Sequence, residues 1–515
     1  MSLVVFNAYF SHPDRFFELT MNRFILTAVF LVLCSSISFA KEYNISSFGA
    51  VGDGQTMNTI AIQKAIDLAH KEGGGRVIIP SGKFLSGSIV LKSGVELHLK
   101  RRATLLGSTK ASDYIKLDRW YALVMANNSK NISITGKGII DGQGKRLALH
   151  VDSLFYAGQI DSSQYRLNEK RPGVDVRPQV IEFVHCINIK VTGITIRNSA
   201  SYVQSYMRCR NMQIDRIRVE SDTYWNNDGI DLIDCVNVRI TNSFVNSSDD
   251  GICLKSSRHS DGLYICDSIY IANCTIRSSA SAIKLGTHSY GGFKNIKIEN
   301  IKVYDTFRSA IALEAYSNGV LENIEISNVK AKNTGNAIFI RLGDARANQP
   351  PGTLRNVTIK NVRAQIAFYP PDSKYEIRGP ELPFFHNVFP SSITGIPDYL
   401  VQNVHLENIK IIYPGRGSQA YANMPVDRLD DVPEYADHYP EFSMFGELPA
   451  WGLYIRHVEG LTLKDVVLKV RKADYRPAIV LDDVRNSSLQ EVKIEGDKKP
   501  INIIQKSVSN VTIVN

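Results

Sequence analysis

The stretch NSSDDGICLKSS, Asn246 to Ser257, sets two aspartates, Asp249 and Asp250, side by side before a short apolar run. Adjacent carboxylates repel, and burying either without a partner is costly. A third, Asp228 in NNDGID, stands 22 residues before Asp250. Like charges held together raise at least one pKa, so such a cluster holds protonated and ionised carboxyl groups at once. Glycoside hydrolysis needs that combination: an acid protonates the leaving oxygen, and a carboxylate activates water or attacks as a nucleophile. Two plainer readings stand beside it, a calcium site and solvated turn aspartates.

A repeat is what would bring Asp228 to Asp250. The pattern Asn, aliphatic, any residue, aliphatic recurs at Asn131, Asn188, Asn211, Asn237, Asn295, Asn323, Asn356, Asn403 and Asn510. Ser268 and Gly460 head variant copies, and most neighbours lie 23 to 33 residues apart. Short alternating segments read as strands. Many of them at a fixed period, with no helical pattern between, predict an all-β solenoid: a single-stranded right-handed parallel β-helix. Its coils stack about 4.8 Å apart, so residues one repeat apart lie one above the other. The aliphatics fill the bore, and the asparagines form a ladder at a turn. The sequons at Asn131, Asn356 and Asn510 fall on that ladder and read as structural. Cys186, Cys209, Cys235 and Cys266 sit beside the strand starts and read as stacked core residues. A disulfide between neighbouring coils stays open.

Aligned on a second strand pattern, Asp228, Asp250, Ser281, Ser309 and Asn336 fall in one column, with Asp249 beside it. Lys284 falls in the next column, near Asp231 and Lys255. Asn58 to Gly75 has helical periodicity and a glycine stop, and predicts an N-terminal helix capping the bore. Two proline- and aromatic-rich stretches, Ala364 to Leu400 and Tyr413 to Ala450, interrupt the repeat. They read as walls of a binding site or as lateral packing.

The chain has 515 residues and a net charge of +9. Arg23, the apolar run Phe24 to Leu33 and small residues up to Ala40 follow the order of a secretory signal peptide. The run is too short to span a bilayer. Cleavage after Ala40 is expected, with Met1 to Thr20 as an unused upstream start; a lipid anchor on Cys34 is the rival reading. Residues 41–515 then form one domain of a secreted or periplasmic protein, expected to be a monomer. Its charge suits an acidic partner. No basic run or nucleic-acid motif appears.

The chain resembles glycoside hydrolase family 28, the polygalacturonase family, across nearly all of residues 41–515. FGAVGDGQTMNTIAIQKAID, GKGIIDGQG and RPQVIEF resemble family motifs, as do NNDGID, with Asn227 in place of threonine, and SDDGICLKS. The resemblance implies a pectin-lyase-like fold, no cofactor and an inverting mechanism. Asp249 would be the general acid, and Asp228 and Asp250 would activate water. There are departures. Ala280 to Ala282 stand where the family carries Gly-His-Gly, and Ala310 to Ala312 where it carries Arg-Ile-Lys. Candidates for replacement substrate contacts are Lys284, Lys255, Arg177, His288, Arg308, Glu314 and Arg341.

The expected function is exported hydrolysis of a pectic or related acidic plant polysaccharide or oligosaccharide. One alternative is a β-helix lyase using calcium on the aspartates and Lys284 or Arg308 as base. Another is a non-catalytic glycan-binding relative.

Overall fold

The computed structural model describes residues 41–344, 350–377, 389–419 and 426–514. The expected signal segment, with Cys34, lies outside the described residues. From Tyr43 onward the chain forms one compact unit. The strands of its main sheet pair in parallel, and around the middle of the chain each pairs with the strand three places further on. Three ladders therefore run along a coil.

The ladder that carries the acids runs through β1 (Gln204–Met207), β2 (Ile230–Ile233), β3 (Ile252–Ser256), β4 (Ile283–Ser289) and the end of the long β5 (Gly292–Ala315). The register sets Ile230 opposite Ile252, Ile252 opposite Ile283, and Ile283 opposite Ile311. In the next ladder Ile189, Met212, Val238, Ile269 and Ile296 stack in one column of the bore. All are buried, and each such side chain contributes about 1.5–3 kcal/mol relative to exposure.

The asparagine ladder is present at the turn into that second ladder. Asn188 donates to Asn131 at 2.8 Å, Asn211 to Asn188 at 3.0 Å and Asn237 to Asn211 at 2.8 Å. All four have φ between 56° and 60°, a left-handed conformation that asparagine tolerates better than most residues. Asn356 and Asn510 bond in the same manner. At Ser268 the ladder changes partner, and Asn295 donates to Asp267 instead. The six described cysteines are all buried free thiols, so no disulfide joins the coils at these positions.

Two glycines let the acid-bearing turns close. A Cβ on Gly229 would lie 2.3 Å from Val245 Cγ1, and one on Gly251 would lie 2.5 Å from Ile276 Cγ2. The Asp-Gly pairs are thus a packing requirement of the coil as well as a chemical signal.

The expected helix is α1, Thr59–Lys71. It buries Ile62, Ala65, Ile66 and Ala69 at helical spacing, and Gly73 and Gly74 bond back to His70 and Ala69 at its end. A second helix, α2 (Gly144–Tyr156), had no counterpart in the sequence reading. The stretch Ala364 to Leu400 is less irregular than expected, because Ser391–Thr394 is a strand paired with Phe339–Arg341.

Asn211→Ala should lower stability by about 2 kcal/mol, combining left-handed strain with broken ladder bonds. Asn211→Gly relieves the strain and should cost about half as much. Urea midpoints of the two variants test the ladder.

Candidate active site

Strand register builds the site. Gly229 N donates to Asp250 O at 2.8 Å and Gly251 N to Ser281 O at 2.8 Å, which stacks Asp228, Asp250 and Ser281 on successive coils. Asp231, Cys253, Lys284 and Ala312 form the neighbouring outward column. Asp249 stands beside Asp250, whose backbone N–H it accepts at 2.9 Å. Asn226 Nδ2 lies 3.4 Å from the other Asp249 oxygen. Asp228 and Asp250 are buried, whereas Asp249 is partly exposed.

Two ammonium groups divide the acids between them. Lys255 Nζ lies 2.7 Å from both Asp228 Oδ2 and Asp231 Oδ1. Lys284 Nζ lies 3.3 Å from Asp250 Oδ2 and 3.8 Å from Glu314 Oε2. Burial raises Asp228 well above the usual carboxylate range, and Asp231, Asp249 and Asp250 add to this against Lys255. Burial pushes Asp231 up to about 6. Burial also acts on Asp250, but Lys284, Arg308 and Lys255 outweigh it and hold that carboxyl below its ordinary value. The carboxyl groups of stacked neighbours are thus pushed in opposite directions.

Two cavities meet at Asp249, which lines both together with Arg166, Asn226 and Tyr439. One, of about 270 Å³, contains Asp228, Asp250, Lys255, Lys284 and His288. The other, of about 530 Å³, contains Arg171, Trp225 and Arg308. Lys255, Lys284, His288 and Arg308 therefore reach the cleft, as the sequence suggested. Lys284 is only 2% exposed and is committed to Asp250. Arg308 is paired with Glu441.

Three expected contacts lie elsewhere. Arg177 is fully buried and donates to the carbonyls of Pro172, Ala200 and Trp225 and to Asn226 Oδ1. It holds the loop before Asp228. Glu314 is buried behind Lys284 and accepts from Thr287 at 2.8 Å. Arg341 is buried on the carbonyls of Gly395, Glu434 and Tyr435. Burial explains each: the motif spacing found the right coil, but not which way the side chain points.

The sequence reading also missed residues. Arg119, Tyr202, Asn226 and Tyr439 line the cleft. Asn226 is the first residue of the NNDGID signal, and Tyr439 lies in the aromatic stretch flagged as a wall. Phe442 of that stretch packs with Phe389 and Phe339 over Ala312, so the same loop both packs laterally and walls the site. Ala312 therefore lies beneath aromatic side chains. Ser281, in place of the family's histidine, donates its backbone N–H to Asp250 Oδ1 at 3.0 Å.

Asp228, Asp250 and Cys253 have ligand atoms within 4.8 Å of one another. Calcium takes oxygen ligands, whereas this set includes a thiol and both carboxylates already face ammonium groups. The set does not suit the calcium that the lyase reading requires. That reading also needs a neutral base. Burial opposes the charge on Lys284 and Arg308, but Asp250 and Glu314 hold Lys284, and Glu441, Asp249 and Asp250 hold Arg308, above their ordinary values.

Fold and site together define a solenoid of parallel strands with an acidic cleft on its outer face. The chain belongs to glycosyl hydrolases family 28, whose model matches residues 71–370. It is 30% identical over 285 residues to a probable polygalacturonase from Vitis vinifera, covering 51% of this chain and 55% of that protein. It is 29% identical over 310 residues to an exo-poly-alpha-D-galacturonosidase from Dickeya chrysanthemi, covering 52% and 51%. The chain thus spans about half the length of these curated relatives. An exopolygalacturonase structure from Thermotoga maritima matches 72% of this chain and 87% of its own, at 25% identity and a TM-score of 0.56. A family 28 exopolygalacturonase from Yersinia enterocolitica shares the fold over 92% of this chain and 78% of its own, at 21% identity and a TM-score of 0.64.

Glu314 generates a prediction. Burial pushes it up to about 8, so between the unfolded value of about 4.3 and that pH the folded state holds a proton the unfolded chain releases. Stability should fall as pH rises through this window. Glu314→Gln should flatten the fall between about pH 5 and 8, read as Tm against pH.

Proposed function

We propose that this protein is an exported glycoside hydrolase that cleaves pectic or related acidic plant polysaccharide with inversion. The observation that carries the reading is the stacking of Asp228 and Asp250 on adjacent coils, with Asp249 beside them where the two cavities meet. A saccharide crossing that junction would leave one sugar on either side of Asp249. Asp249, the accessible carboxyl of the three, is the general acid for the leaving oxygen. Asp250, kept ionised by its cationic neighbours, activates the water with Asp228, whose position Lys255 fixes.

The relatives named for polygalacturonan support an acidic, galacturonate-containing substrate. The solenoid topology supports a single-stranded, right-handed, pectin-lyase-like parallel β-helix capped by α1, with residues 41–515 as one monomeric hydrolase domain. The charged, apolar and small order of residues 21–40 supports export to the periplasm or medium. Among the described residues, no helix is long and apolar enough to cross a membrane. No cofactor enters this mechanism.

Asp249→Asn should retain the fold and lose about 10²–10⁴ in turnover, since the amide cannot donate the proton. Full activity of that variant on every pectic glycan the parent cleaves would refute the acid assignment. Proton NMR early in turnover should show the anomer opposite to the substrate linkage. Retention would require a covalent intermediate and a nucleophilic aspartate.

A further inference from the structure

Ala310 and Ala312 stand where the family that the sequence resembles carries the two cations of Arg-Ile-Lys. The larger cavity beside Asp249 holds three other cations. We propose that Arg166 and Arg171, carried by the hairpin Tyr165–Arg166 and Arg171–Pro172, form with Arg308 a replacement subsite for the carboxylate of a uronic sugar. This rests on the hydrolase reading above and adds the residues that set its specificity.

The hairpin is antiparallel, pairs Arg166 with Arg171, and lies outside the repeat. Arg166 and Arg171 share one partner, Glu169. Arg308 has Glu441. Three guanidinium groups of this cavity thus share two partner carboxylates, Glu169 and Glu441. All three remain in reach of solvent, with side chains 48%, 14% and 18% exposed for Arg166, Arg171 and Arg308. A guanidinium binds a carboxylate through two parallel hydrogen bonds, which suits a uronate better than a neutral sugar.

Trp225 completes the subsite. It is half-buried, lines the same cavity, and has Arg171 Cζ 4.7 Å from its ring centre. Its apolar surface suits the C–H face of a pyranose. Arg177, by holding Trp225 O and Asn226 Oδ1, sets the loop that presents it. The cavity volume of about 530 Å³ has room for more than one sugar ring.

The test is calorimetric binding of an oligogalacturonide and its carboxyl-reduced counterpart to the full chain carrying Asp249→Asn, so that turnover does not consume the ligand. The acidic ligand should bind at least about tenfold more tightly than the reduced one. Adding Arg171→Met should cut that preference about tenfold and weaken its salt dependence. Arg166→Met, at a more exposed position, should act in the same direction and serves where Arg171→Met does not fold. Unchanged preference in a folded Arg166→Met or Arg171→Met chain overturns the subsite while leaving the hydrolase reading standing. Failure of the parent to cleave either glycan, together with failure of the Asp249→Asn chain to bind them, overturns both.

Discussion

In-register stacking of one coil on the next is the constraint on which the site depends. Ile230, Ile252 and Ile283 lie opposite one another, so Asp228, Asp250 and Ser281 must share a column. A slip of one residue would turn every side chain to the other face, sending carboxylates into the bore and aliphatics outward. The bore therefore enforces the geometry of the acids. The asparagine ladder and the crowded glycines at 229 and 251 hold the same register from the turns.

Stacking also forces charges together that solvent would keep apart. Asp228, Asp231, Asp249 and Asp250 occupy neighbouring coils, and Lys255 and Lys284 are the ammonium groups set among them. Removing one partner of a buried pair typically costs about 3–5 kcal/mol, so these lysines support the fold as well as the chemistry. Their placement is unequal, and that inequality has a use. Asp250 is held ionised, while burial drives Asp228 and Asp231 the other way. A carboxylate kept ionised among acidic neighbours can take a proton from water.

The cleft walls come from segments outside the repeat. From the 413–450 stretch Tyr439 lines the cleft beside the acids, Glu441 pairs with Arg308, and Phe442 covers Ala312. Arg166 and Arg171 arrive on a separate hairpin. A regular coil thus presents a fixed row of carboxyl groups, and the insertions decide what surrounds them. Specificity can change in such a protein without disturbing the stack.

The sequence by itself determined the coil. A period of 23 to 33 residues and strict alternation are local properties, so they revealed the strands, the asparagine ladder and the alignment of Asp228 with Asp250. Family motifs added the roles. Tertiary structure alone decided which candidates face the cleft. Arg177 and Glu314 fell on the right coils yet are buried against carbonyls and a threonine, whereas Arg119 and Tyr439 carried no motif and line the site. It alone also decided which way each carboxyl is pushed, because burial and the approach of Lys284, Lys255 and Arg308 set that direction. Periodicity specifies what stacks within the coil; the insertions have no period, and their positions follow only from packing across long sequence separations.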